Sequence, residues 1–149
     1  MRRALRTLRD DDTGSTLPLI GGYAALALVL VLLVASATSL YLERKRLLIL
    51  ADGAALVGAE AFELDDVTVT SSGPRVRLRT ADVRREVTAY LADQPIGAFE
   101  SLRLEEATSP DGRSALVTVS AIWRPPVVSP FVPDGLRIDA TAVSRTVFG

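Results

Sequence analysis

The sequence predicts an α+β protein: a long N-terminal transmembrane helix continuing into a small antiparallel β-sheet domain with one packed helix. Three observations carry this. No charge interrupts the chain from Leu17 to Leu42. At Val67 the spacing of apolar residues changes from helical to alternating, and only one later stretch, beginning near Thr80, returns to helical spacing. Strands joined mostly by hairpins, with helices set apart from them, belong to the α+β class. A chain of 149 residues, 48% apolar and 23% charged, holds one modest core.

Residues 1–16 read as a polar cytoplasmic tail, and the uncharged run 17–42 as the membrane span. That run of about 26 residues makes ~39 Å of helix, enough to cross a bilayer with some tilt. Its centre, Ala24 to Ala35, is almost pure Ala, Leu and Val, and Tyr23 and Tyr41 lie nearer its ends, where aromatic rings favour the interface. Only a helix satisfies such a backbone in lipid. The mean hydropathy of +0.28 is explained by this one segment. Arg2, Arg3, Arg6 and Arg9 precede it; Arg44, Lys45 and Arg46 follow, with no further base until Arg75. The bias sets the N-terminus in the cytoplasm and the C-terminal domain outside the cell membrane, as a single-pass protein. A second reading stands beside it. Ala35-Ser36-Ala37 fits the small-x-small pattern of a signal-peptide site, and cleavage after Ala37 would release a secreted soluble binding module. The uncharged run before that site exceeds the ~7–15 residues of a signal core, which favours the anchor.

Residues 43–63 read as a helical extension of the span, rich in Leu, Ala, Glu, Arg and Lys and free of Pro, with Gly53 and Gly58 each weakening it by ~1 kcal/mol relative to Ala. On a helical wheel Lys45, Asp52, Glu60 and Glu63 share one side with Ile49 and Leu56, while Leu47, Leu48, Leu50, Val57 and Phe62 cover the remainder. A helix apolar nearly all round packs either against the same helix in neighbouring subunits or deep in its own domain. The helix-packing positions expected here are Gly21, Leu48, Ala51, Ala55, Ala59 and Phe62.

Residues 64–149 read as the extracytoplasmic α+β domain. Val67–Thr70, a turn over Ser71-Ser72-Gly73-Pro74, and Arg75–Arg79 form a hairpin with one apolar and one arginine-bearing face. Thr80 is the expected N-cap of a helix whose apolar face is Val83, Val87, Tyr90 and Leu91, stopped by Pro95 and Gly97. Strands Ser101–Thr108 and Arg113–Arg124 flank Ser109-Pro110-Asp111-Gly112, placed as a type I turn. Ala115, Val117, Val119, Ala121 and Trp123 fall on one face of the second. Pro125, Pro126, Pro130 and Pro133 mark an extended crossing. A last strand runs from Leu136 to about Val147, with Leu136, Ile138, Ala140 and Ala142 inward.

Composition narrows the function. There is no Cys and no His, so disulfides, thiolate nucleophiles, ordinary zinc sites and imidazole catalysis are absent. A net charge of −1 offers no basic excess for nucleic acid. Asp12-Thr13-Gly14-Ser15 spells the aspartic-protease triplet, but that chemistry needs two facing copies and only one exists. Asp10–Asp12 and Asp65-Asp66 lack the spacing of a calcium loop. Arg75, Arg77 and Arg79, with Arg84 and Arg85, read as the wet face of a strand and its neighbour rather than a polyanion site. Ser39, Ser101 and Ser114 have no imidazole to activate them, and Lys45 is the only lysine. Trp123 reads as a core anchor. No enzyme, cofactor, metal or small-molecule substrate is expected.

Three stretches resemble the TadE/TadG-like minor pilins of Tad (Flp) pilus systems: Gly14-Ser15-Thr16-Leu17-Pro18 through Tyr41-Leu42-Glu43-Arg44-Lys45-Arg46; the alanine-rich Ala51–Ala61; and Gly135–Ala142 after the proline crossing. The resemblance implies a pilin-like fold and a membrane-anchored role in assembling or anchoring a surface pilus, with partners met through the N-terminal helix: other pilus-assembly subunits or the chain itself. It also places a possible prepilin-peptidase site at Gly14 and Ser15, although the fifth residue after that glycine is Leu19 where processed members usually carry Glu. Sixteen of the 17 basic residues are Arg and Asn is absent, a composition typical of a high-GC bacterial genome.

Overall fold

The computed structural model describes residues 16–62, 67–70, 73–95, 97–126 and 133–146. Its first element, helix α1 (Thr16–Ala59), is a single unbroken rod of 44 residues, about 66 Å long. Pro18 falls in the first turn, where its missing N–H has no helical partner to lose. Nothing later in the helix breaks it. The helix stops at Ala59, short of the expected limit at Glu63, because the last turn tightens: the Ala61 N–H bonds the Gly58 carbonyl at 3.3 Å, and the Phe62 N–H then bonds Glu60 at 2.8 Å, turning the chain away. Only the second half of α1 enters the core. Leu47, Leu50, Ala51, Ala54, Ala55, Gly58 and Ala59 are its buried residues, spaced as one helical stripe.

Strands β1 (Val67–Thr70) and β2 (Gly73–Val76) form the hairpin as a separate two-stranded sheet, in register from Val67↔Val76 to Thr70↔Gly73. β2 therefore includes Gly73 and Pro74, read from sequence as turn, and ends three residues before Arg79. The described ladder ends at Val67↔Val76; beyond it the Leu78 N–H bonds the Gly112 carbonyl at 2.8 Å and its side chain is buried.

Helix α2 (Thr80–Ala92) buries Val83 and Val87 completely, with Tyr90 and Leu91 half-buried beside them. Thr80 is not its cap. Arg79 holds that position with extended backbone and no side-chain capping bond, while Thr80, one residue inside, uses its hydroxyl elsewhere. Thr80 Oγ1 accepts the Ser109 N–H at 3.2 Å and lies 3.3 Å from Thr108 Oγ1, fastening the start of the helix to the end of strand β3 (Glu100–Thr108).

The main sheet has the order β3-β4-β5, all antiparallel, with β4 (Ser114–Trp123) central and β5 (Leu136–Arg145) at one edge. Ala115, Val117, Val119, Ala121 and Trp123 of β4 are buried, as alternation expects. Ala140 and Ala142 of β5 join them and Ile138 packs at the margin. Leu136 does not: it is 51% exposed. It sits opposite Trp123 on the last rung, beyond which the described ladder has no further pair. The position expected at Val147 lies outside the described residues.

β4 runs antiparallel to α1. Its first apolar residue, Ala115, meets α1 at Gly58, and its last, Trp123, reaches Ser39. The sheet thus lies along about 30 Å of the rod, one face on α1 and the other carrying Thr118, Thr141, Glu105, Arg137 and Asp139.

Candidate functional site

The feature of this chain that has chemistry to offer a partner is α1, and its two halves are different surfaces. From Thr16 to Val31 every residue is exposed, and none of the most apolar 18-residue window is buried. By length and composition α1 can cross a membrane. The core of a bilayer needs about 20 apolar residues, and the domain claims the helix from Ser39 onward: the Trp123 indole N–H donates to Ser39 Oγ at 3.3 Å. Ser39 falls inside the 17–42 span expected from the sequence, so the free apolar length is Leu17 to Thr38.

In the second half, the side turned from the sheet stays open. Leu42, Ile49 and Leu56 are 51%, 61% and 54% exposed, and Lys45 and Asp52 are exposed between them. One side of this helix is therefore core, and the opposite side is an exposed apolar stripe carrying two charges.

The expected packing residues divide accordingly. Ala51, Ala55 and Ala59 are buried within the chain's own core, and Phe62 packs half-buried against it. Leu48 is exposed, and Gly21 is exposed with nothing within 4 Å of a built Cβ. Gly14 and Ser15 lie outside the described residues, as do Asp10–Asp12, Asp65 and Asp66. The wheel missed Gly53 and Gly58, noted only as weak points. A Cβ at Gly58 would stand 3.1 Å from methyls of both Val83 and Val87 and 3.2 Å from Ala115 Cβ; at Gly53 it would meet the Tyr90 hydroxyl. These glycines let α2 close on α1. Five residues apart, and so ~140° apart around the helix, they share no face and leave no periodic signal in the sequence.

Polar groups hold the two ends of the sheet. At the Ser39 end, Arg124 grips Glu100 bidentately, Nε to Oε1 at 2.9 Å and to Oε2 at 2.8 Å, and donates to the Pro133 carbonyl. The guanidinium holds the Glu100 carboxyl below its ordinary range. Ser101 beside it has φ +50°, where β3 shifts register against β4. At the far end, Asp111 accepts the Arg113 N–H at 2.9 Å and the Ser114 N–H at 2.6 Å, and the Ser114 hydroxyl at 3.0 Å. Those two backbone N–H bonds lower the Asp111 carboxyl. Of the serines weighed for nucleophilic work, Ser39 and Ser114 are therefore structural partners and Ser101 marks the irregularity of β3. Arg85 pairs with Asp82 at 2.9 Å and Glu86 at 3.1 Å on the outer side of α2, where Arg84 is also exposed. Among the described residues no three His, Cys, Asp or Glu gather as a metal site.

No protein-family model, curated protein or solved structure matches the chain.

Proposed function

We propose that the chain is a non-enzymatic, single-span membrane protein whose extracytoplasmic α+β head takes part in assembling or anchoring a Tad-type surface pilus, acting by helix packing and domain docking. The observation that carries the membrane part is the continuity of α1: one end is an uncovered apolar rod and the other is the central strut of the head. An apolar helix belonging to a soluble core would be covered along the same length. The pilus assignment is supported by the TadE/TadG-like sequence stretches, and the absence of His and Cys favours a structural role.

One observation favours a second reading, the secreted module. Every α1 residue in the core lies beyond Ala37, and the domain's first contact with α1 by hydrogen bond is Ser39. A head cut after Ala37 keeps its core. Fractionation with N-terminal sequencing of the mature protein decides. A membrane-bound chain starting at Met1 or Ser15 supports the anchor; a soluble chain starting at Thr38 overturns it. Deleting the gene is expected to abolish surface filaments in electron micrographs, and unchanged filaments would remove the pilus assignment.

A further inference from the structure

The end of the main sheet farthest from Ser39 collects arginines from three separate segments. Arg113 precedes β4, and Arg145 ends β5 opposite Ser114; the Thr146 N–H donates to the Arg113 carbonyl at 2.9 Å and ties the two strand ends together. Arg77 arrives from the connection between β2 and α2, its Cγ 3.8 Å from a Cβ built on Gly112. All three arginines are exposed, and none has an ion pair or a side-chain hydrogen bond to a described residue, whereas Arg85, Arg124 and Arg137 are each paired. Asp111, Arg113, Arg145 and Thr146 line a cavity of about 340 Å³. Thr146 is 8% exposed, and its hydroxyl is buried without a hydrogen-bond partner among the described residues, an uncommon state in a folded chain. Asp111 Oδ1 accepts the Arg113 and Ser114 N–H groups, while Oδ2 accepts the Ser114 hydroxyl and has room for a further donor.

We propose that this cavity binds a carboxylated sugar unit, the hexuronate of an acidic polysaccharide. Each part of the wall matches a part of that ligand. The forked guanidiniums of Arg113 and Arg145 suit a carboxylate, with Arg77 adding positive charge at the rim. Asp111 calls for a ligand that also donates. A sugar hydroxyl does so, and an ionised phosphodiester does not; the Asp111 charge also repels a ligand that is anionic on every side. The two backbone N–H bonds keep that carboxylate ionised, and so an acceptor, at neutral pH. The volume lies at the small end of ligand cavities, enough for one ring and too little for a nucleic-acid duplex. Arg113 and Arg145 are far apart in the sequence and meet only in the fold. All of these residues belong to the head, so the site goes beyond the anchored and released readings and stands with either. On the anchored reading it faces away from the membrane, about 30 Å along α1 from Ser39.

Isothermal titration of the full-length protein in detergent with trigalacturonate tests the site. Saturable binding is expected, weakened about tenfold by Arg113→Ala or by Arg145→Ala, the loss of one charged hydrogen-bonding group. Arg84→Ala, at an exposed arginine of α2 outside the cavity, should leave it unchanged. Maltotriose offers hydroxyls without carboxylates and sulfate offers charge without hydroxyls; each should bind at least about tenfold more weakly than trigalacturonate. Tryptophan-fluorescence melting checks that the variants stay folded, and Arg113→Gln and Arg145→Gln replace any alanine variant that melts early. Absence of saturable trigalacturonate binding overturns the site. So does full binding by the folded double variant at Arg113 and Arg145. Sulfate or a short DNA duplex binding as tightly as trigalacturonate overturns the sugar assignment.

Discussion

Gly53→Ala and Gly58→Ala make the same chemical change in the same helix, yet the structure assigns them opposite signs. Each should gain ~1 kcal/mol of helix propensity. At Gly53 the added methyl meets the hydroxyl end of Tyr90, the far tip of a half-buried side chain that a small ring tilt can withdraw. Most of the gain survives, and the head is stabilised by ~0.5–1 kcal/mol. At Gly58 the methyl meets three atoms at 3.1–3.2 Å, two on the stiff β-branched Val83 and Val87 and one a Cβ of the central strand. None can rotate away, so α2 and β4 must both retreat. Overpacking of this kind costs ~1–3 kcal/mol, leaving Gly58→Ala less stable than the parent by up to ~2 kcal/mol. Thermal unfolding of the detergent-solubilised chain, followed by circular dichroism and by the fluorescence of the single tryptophan, would separate them. At about 4 °C per kcal/mol for a head of this size, Gly53→Ala should melt ~2–4 °C higher and Gly58→Ala up to ~8 °C lower. Equal stabilisation by the two would mean that α1, α2 and β4 do not converge at Gly58.

Three other outcomes follow from the same contacts. Ala55→Asp puts an unpaired charge in the core and should cost ~3–5 kcal/mol, whereas Leu56→Asp, one residue on and facing outward, should stay within ~0.5 kcal/mol of the parent; similar melting of the two would contradict the phase of α1. Ser39→Ala leaves the Trp123 indole N–H without its acceptor and should cost ~1 kcal/mol, with a double-mutant cycle against Trp123→Phe showing non-additivity. The lowered carboxyls of Glu100 and Asp111 give stability that is present above the unfolded carboxylate range near pH 4 and is lost as pH falls through their folded values; unfolding at pH 3 and pH 7 should therefore differ less in a Glu100→Gln, Asp111→Asn variant than in the parent, and an unchanged difference would remove both groups from the acid response.

Periodicity made the long helix, α2 and the three strands of the main sheet legible, because each has one face that must be buried, and burial leaves a repeat of 3.6 or 2 in the sequence. What it could not show depended on partners distant along the chain. Thr80 looks like a cap until Ser109 and Thr108, 29 and 28 residues away, take its hydroxyl. Leu136 alternates correctly with Ile138 and Ala140 but lies on the final rung of the described ladder. Arg77 and Arg79 continue the alternation of β2 but lie beyond the last pair of the described ladder, Val67↔Val76. Ser39 reads as lipid-facing by hydropathy, and only the fold brings Trp123, 84 residues later, to its side chain. Gly53 and Gly58 carry no periodic signal, since their contribution is the side chain they lack.

The placement of the candidate site follows from one mechanical fact: the exposed apolar end of α1 and the head share one helix. A flexible linker between them would let the head turn independently of the apolar end, and the outward stripe of that end would bear no fixed relation to that of the head. Here the core stripe from Leu47 to Ala59 and the bond from Trp123 to Ser39 set the angular position of α1 within the head. An unbroken helix carries that angle down to Gly21. Sheet packing thus decides which residues the apolar half presents on each side, and Leu28 and Ala35 line up with Ile49 and Leu56 because Ala51 and Ala55 are held on the opposite side. The alanines expected to meet neighbouring subunits are buried in their own domain instead, and by that burial they aim the leucines outward.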